Sequence, residues 1–140
     1  MITYAQNFED VMLERLFKGQ SAGFYIDVGA WHPTLHSVTR HFYDAGWRGV
    51  NIEPIRRQYE LFVQDRPRDI NLNAALVESS GTLNFFECED NTALSTGDPE
   101  QAQRLRSEGH AIREYSVQAL TLSDVTERIG AQLVGFNSKL

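Results

Sequence analysis

Apolar runs and amphipathic stretches take turns along the first half of the chain. In NFEDVMLERLFKG, Phe8, Val11, Met12 and Leu16 fall at helical spacing, with Asn7 as N-cap and Gly19 as stop. They predict a short amphipathic helix within an N-terminal segment, residues 1–22. GFYIDVG follows, aromatic and β-branched between two glycines, and reads as a strand buried on both faces. PTLHSVTRHFYDAG predicts a helix from Pro33 to Ala45, with Leu35, Val38, Phe42 and Ala45 on one stripe and Gly46 as its stop. The alternation repeats: RGVNIEP is strand-like, IRRQYELFVQD sets Ile55, Tyr59, Phe62 and Val63 on one helical face, and DINLNAALV returns to strand. Helices crossing between short apolar strands imply parallel pairing, so residues 23–80 are expected to form a βαβαβ core.

Beyond Val77 the pattern changes. SSGTLNFFECE alternates around a glycine turn and suits an antiparallel edge strand or hairpin arm. NTALSTGDPEQAQRLRSEGH is polar and turn-rich, a surface excursion with a short helix from Pro99 to Ser107. AIREYSVQAL reads as a further strand, and Thr121 with Asp124 matches a capping box before a helix carrying Val125 and Ile129. The closing AQLVGFNSKL is strand-like for a few residues. No internal repeat, low-complexity tract or linker separates these pieces, so residues 1–140 are expected to form one domain.

Composition narrows the choice of partners. With 140 residues, 41% apolar, the chain can bury one ordinary core. A net charge of -6 argues against nucleic acid or anionic lipid as a partner held by a general positive field. The single cysteine, Cys88, cannot form an internal disulfide, and it reads as a covered thiol without an activating partner. The N-terminus has no basic and apolar leader pattern, and no run approaches the roughly 20 apolar residues of a membrane span. A cytoplasmic, soluble protein is the expectation.

The candidate chemistry lies at the strand ends. In an open parallel sheet, ligands bind beyond the carboxyl ends of the strands. Asp27 ends the first strand there, Gly29 lets backbone approach a ligand, and a helix beginning near Pro33 would offer free N–H groups. A carboxylate at Glu53, ending the second strand, has two oxygens that match a vicinal diol such as ribose, and Asn73 is placed to reach an adenine edge. Neither G-x-G-x-x-G nor G-x-x-x-x-G-K-[ST] is present, which disfavours pyrophosphate and triphosphate cradles. His32, His36 and His41 match no metal-ligand spacing, so no metal is expected. Trp31 serves either as a cover over the ligand or as a packing residue.

Taken together, YAQNFEDVML, FYIDVGAWHP, GWRGVNIEP, NAALVESSGTLNFFE and LSTGDPE resemble, in order and spacing, the FkbM-type methyltransferases. The resemblance implies a Rossmann-like class I methyltransferase sheet, mostly parallel with helices on both faces, and S-adenosylmethionine as cofactor. It places Asp27, Gly29 and Ala30 in the methionine-binding turn, Glu53 on the ribose, Asn73 and Glu78 beside adenine, and Gln6 and Asp10 over the cofactor. It further implies O-methylation of a hydroxyl-bearing small molecule, a sugar or glycosylated natural product; the resemblance names no general base, for which His32 is the nearest candidate by placement. The family continues with a strand of the type DFLKIDVEG, where this chain has LVGFNSKL. At about 30 residues per βαβ unit, a seven-stranded sheet takes roughly 200 residues. The chain is therefore expected to hold the cofactor half, cropped or frameshifted after about residue 133, with an open sheet edge that invites self-association. The alternatives are a non-catalytic remnant of such an enzyme, or a different adenosine-nucleotide-binding module.

Overall fold

A computed structural model describes residues 1–137, the side chains of 133–137 excepted. The chain forms two compact units that divide after Leu72. In the first, strands β1 (Phe24–Val28), β2 (Arg48–Ile52) and β3 (Ile70–Leu72) make a parallel sheet in the order β1-β2-β3. Helices α1 (Glu9–Leu16), α2 (Arg40–Asp44) and α3 (Arg56–Asp65) precede and connect them. The central strand β2 buries Val50 and Ile52 completely or nearly so, and Phe42, Trp47, Ile55 and Phe62 complete the core. Gly49 admits the ring of Tyr25 against β2, where an added Cβ would run into that ring and the Tyr25 carbonyl.

Four elements of the first unit depart from the sequence expectation. Strand β1 is not buried on both faces: Phe24, Ile26 and Val28, which alternate onto one face, are 42%, 39% and 51% exposed. Helix α1 turns Phe8, Met12 and Leu16 outward and buries Asp10 instead. The Asp10 carboxylate accepts from Thr3 Oγ1 at 2.6 Å and from the N–H groups of Tyr4, Ala5 and Val11, and these donors exist only on the inner side. Phe8, rather than Asn7, takes the N-cap position, at a left-handed φ of 61°. The helix expected from Pro33 starts only at Arg40, since His36 has a φ of 58° and Trp31 one of 60°, backbone that no right-handed helix contains. In α3 the buried face carries Ile55, Gln58 and Phe62, and Val63 points outward.

The run read as one strand over DINLNAALV is two, β3 and β4 (Ala74–Leu76), in different sheets. Its first ladder ends with the Glu53 N–H donating to Leu72 O, because the next N–H on that side, from Ile55, turns back to the Glu53 carboxylate. In the second unit β4 pairs parallel with β6 (Ile112–Leu120), and β5 (Gly81–Cys88) pairs antiparallel with β6, in the order β4-β6-β5. Helix α4 (Pro99–Ser107) has the expected bounds, and Phe86 and Thr96 exchange backbone hydrogen bonds that tie the polar excursion to β5. Helix α5 (Leu122–Asn137) opens with the reciprocal capping box: Asp124 Oδ2 accepts the Thr121 N–H at 2.9 Å and Thr121 Oγ1 accepts the Asp124 N–H at 3.1 Å. That start propagates through Gly130 and turns the strand-like AQLV into helix; residues 138–140 lie outside the described residues. The protein is thus a mixed α/β chain with parallel pairing in both sheets. No helix among the described residues is long and apolar enough to cross a membrane.

Candidate functional site

Asp27 pairs with Asn51 one step before β1 and β2 end together at Val28 and Ile52. Past that point Gly29 and Ala30 both donate to Ile52 O, at 2.9 and 3.2 Å, so the chain leaving β1 folds over the end of β2. Gly29 has a φ of 63°, and nothing lies within 4 Å of where a Cβ would stand. The turn therefore presents bare backbone to open space.

Glu53 fixes this turn from the neighbouring strand. Its Oε2 accepts the Trp31 N–H at 2.7 Å and its Oε1 the Ile55 N–H at 3.0 Å, while the residue is only 3% exposed. Burial raises the Glu53 carboxyl above the usual glutamate range against the pull of those two backbone donors, and the Asp27 charge raises it further. Asp27 is likewise raised, chiefly by burial, although it accepts from Thr39 Oγ1 at 2.9 Å and feels the Arg66 charge. Burial thus disfavours the negative charge of both strand-end acids.

That strain has a measurable sign. An acid whose folded pKa is raised contributes stability that is complete below its unfolded value and is lost as pH rises through the folded one. Asp27→Asn, which keeps an oxygen for Thr39, is therefore expected to melt above the wild type at about pH 7 and level with it near pH 3. Melting curves at both pH values check this, and equal melting temperatures at neutral pH would show that the Asp27 charge costs the fold nothing.

Beneath the turn lies a buried pair that the sequence did not disclose. The Arg66 and Asp69 side chains are both 0% exposed and 3.4 Å apart. Arg66 Nη2 donates to Pro33 O at 2.7 Å and to Ser37 Oγ at 3.1 Å, and Nη1 donates to Tyr25 Oη and Thr39 Oγ1. Asp69 accepts from Tyr25 Oη, the Gly49 N–H and Asn51 Nδ2. One guanidinium thus gathers the non-helical 33–39 segment onto the sheet and holds Thr39 where it meets Asp27.

His32 has a defined role in the same segment. Its Nδ1 accepts the Thr34 and Leu35 N–H groups at 3.0 and 2.9 Å, which places the ring proton of the neutral form on Nε2. Burial lowers its pKa, and protonating Nδ1 would break both bonds. In this arrangement His32 caps a turn and presents no free lone pair to a substrate. Trp31 stacks on His36 with ring centroids 5.8 Å apart.

The structure thus brings Asp27, Gly29, Ala30 and Glu53 together. Gln6 is exposed before α1, and Asp10 spends its carboxylate on the N-terminal segment. Asn73 and Glu78 belong to the second unit, Asn73 half-buried ahead of β4 and Glu78 exposed in the turn after it.

The model of the methyltransferase FkbM domain matches residues 27–136, starting on the first of the two strand-end acids. The chain belongs to the FkbM methyltransferase domain family. The match covers more than three quarters of the chain and includes Asp27, Gly29, Ala30, Glu53, Asn73 and Glu78. No curated protein and no solved structure matches the chain. Methyl transfer is the reaction that this FkbM domain implies.

Proposed function

We propose that the first unit binds S-adenosylmethionine at the ends of β1 and β2, as part of a Rossmann-like class I sheet, for methylation of a hydroxyl oxygen on a sugar or glycosylated small molecule. The observation that carries this reading is the placement of Asp27 near the end of β1 and Glu53 just past the end of the adjacent parallel β2, beside the open Gly29 turn. A ligand with a sulfonium and an ammonium group fits two acids whose charges burial disfavours, because a nearby positive charge favours the ionised form. A carboxylate such as that of Glu53 has two oxygens that match a ribose diol, and Gly29 lets the ligand approach main chain.

When bound, the cofactor supplies an activated methyl group on sulfur. The protein's share is orientation: Glu53 fixes the turn and the sugar together, and Asp27 draws the cationic end toward β1. His32 maintains the turn through its Nδ1, and this reading assigns it no proton transfer.

Calorimetric titration of the full chain tests the proposal. S-Adenosylmethionine and S-adenosylhomocysteine are expected to bind in preference to NAD and ATP, for which no phosphate cradle is present. Tighter binding of NAD or ATP would replace this assignment with an adenosine-nucleotide module of another kind.

A further inference from the structure

Cys88 was expected to lack an activating partner, yet it stands beside Asp90, two residues on, with His110 brought to the same place by the return of the chain. The Cys88 Sγ donates to Asp90 Oδ1 at 3.4 Å, and His110 Nδ1 lies 2.7 Å from Asp90 Oδ2. Among the described residues this is the one group of three or more His, Cys, Asp or Glu whose donor atoms come within 4.8 Å of one another. We propose that Cys88, Asp90 and His110 bind a single divalent transition-metal ion of zinc-like softness.

The strand register builds the site. Cys88 is the last residue of β5 and pairs with Ile112, the first of β6, so His110 stands two residues before the partner of the thiol. The connecting turns are pinned from both sides: the Glu89 N–H donates to Ala111 O at 2.9 Å, the Ala111 N–H to Asp90 Oδ1 at 3.1 Å, and the Cys88 N–H to Ser95 Oγ at 3.0 Å. Asp90 thus carries its own orienting donor on Oδ1 and turns Oδ2 toward His110. Ligands held in this way by a second hydrogen bond are the pattern of working metal sites.

The donor set selects the ion. One thiolate, one imidazole and one carboxylate suit zinc over the hard cations calcium and magnesium. An ion about 2.0 to 2.3 Å from each donor separates them by roughly 3.2 to 3.5 Å, so the His110–Asp90 contact opens slightly and the widest gap closes by roughly an ångström. On binding, Cys88 releases its proton to solvent and the S–H bond to Asp90 gives way to coordination. His110 coordinates through Nδ1 with its proton on Nε2. Two anionic ligands and one neutral ligand then balance the dication. Cys88 is fully buried, whereas the side chains of Asp90 and His110 are 51% and 26% exposed, so the ion enters from their side and its fourth position faces water. The ion clamps the open end of the β5–β6 pair.

Cobalt(II) reports on this site directly. Cys88 is the sole cysteine of the chain, so a near-ultraviolet thiolate-to-cobalt charge-transfer band can arise only from it. Titration of the reduced, chelator-treated full chain is expected to raise that band to a plateau at one equivalent, and zinc is expected to abolish it and raise the melting temperature. Asp90→Asn and His110→Gln alter exposed side chains and should keep the wild-type circular dichroism, yet each is expected to weaken cobalt binding roughly tenfold or more. Absence of the band, or a band of unchanged affinity in both variants, would overturn the proposal and leave an Asp–His pair beside an ordinary thiol.

Discussion

Arg66→Met is expected to remove about 3 to 5 kcal/mol of stability, the cost of leaving one charge of a buried pair without its partner. The side chain is wholly buried, and its loss strands the equally buried Asp69 carboxylate while cutting the bonds that hold Pro33 and Ser37 to the sheet. A domain of ordinary stability has about 5 to 15 kcal/mol to lose, so the variant should unfold at a much lower urea concentration. Adding Asp69→Asn should restore part of the loss, because the amide keeps an oxygen for the Gly49 N–H without the stranded charge. A wild-type urea midpoint for Arg66→Met would show that the pair contributes nothing to the fold.

Sequence reasoning could not have found this pair. In DRPRD the charges crowd around a proline, and no local pattern marks any of them as buried. What buries them is distant: Pro33 and Ser37 lie 33 and 29 positions from Arg66, and Tyr25 lies 44 from Asp69. The same limit explains α2. Of the stripe expected from Leu35 to Ala45 only Phe42 lies within the helix and Leu35 is exposed, because the left-handed backbone at His36 leaves no mark on periodicity. Strands β1 and β2, helix α4 and the Thr121–Asp124 box were legible because each depends on neighbours within a few residues. Asp27, Gly29 and Glu53 could be placed at strand ends for that reason, whereas the backbone groups they hold could not. The Cys88, Asp90 and His110 group depends on the pairing of β5 with β6, and only the register of that pairing brings residue 110 to residue 88.

Glu53 shows how such hidden backbone partners change an expected result. From sequence it is a carboxylate facing a wet crevice with little packing to lose, and Glu53→Gln should leave the fold intact. In the structure it is 3% exposed and accepts from Trp31 and Ile55 through separate oxygens, while glutamine has one acceptor oxygen and turns an NH2 toward the other donor. A buried donor left unpaired costs about 1 to 3 kcal/mol, and removal of a charge that burial disfavours offsets part of it, so a net loss of about 1 to 2 kcal/mol is expected. If the same carboxylate also grips the ribose, S-adenosylmethionine affinity falls by a further 1.5 to 3 kcal/mol, about ten- to a hundredfold. Urea unfolding and calorimetric titration of the same preparation, at a temperature where the variant remains folded, separate the two effects. Loss of stability with cofactor affinity unchanged would make Glu53 a clamp for the turn alone; loss of both makes it the residue that joins the turn to the ligand.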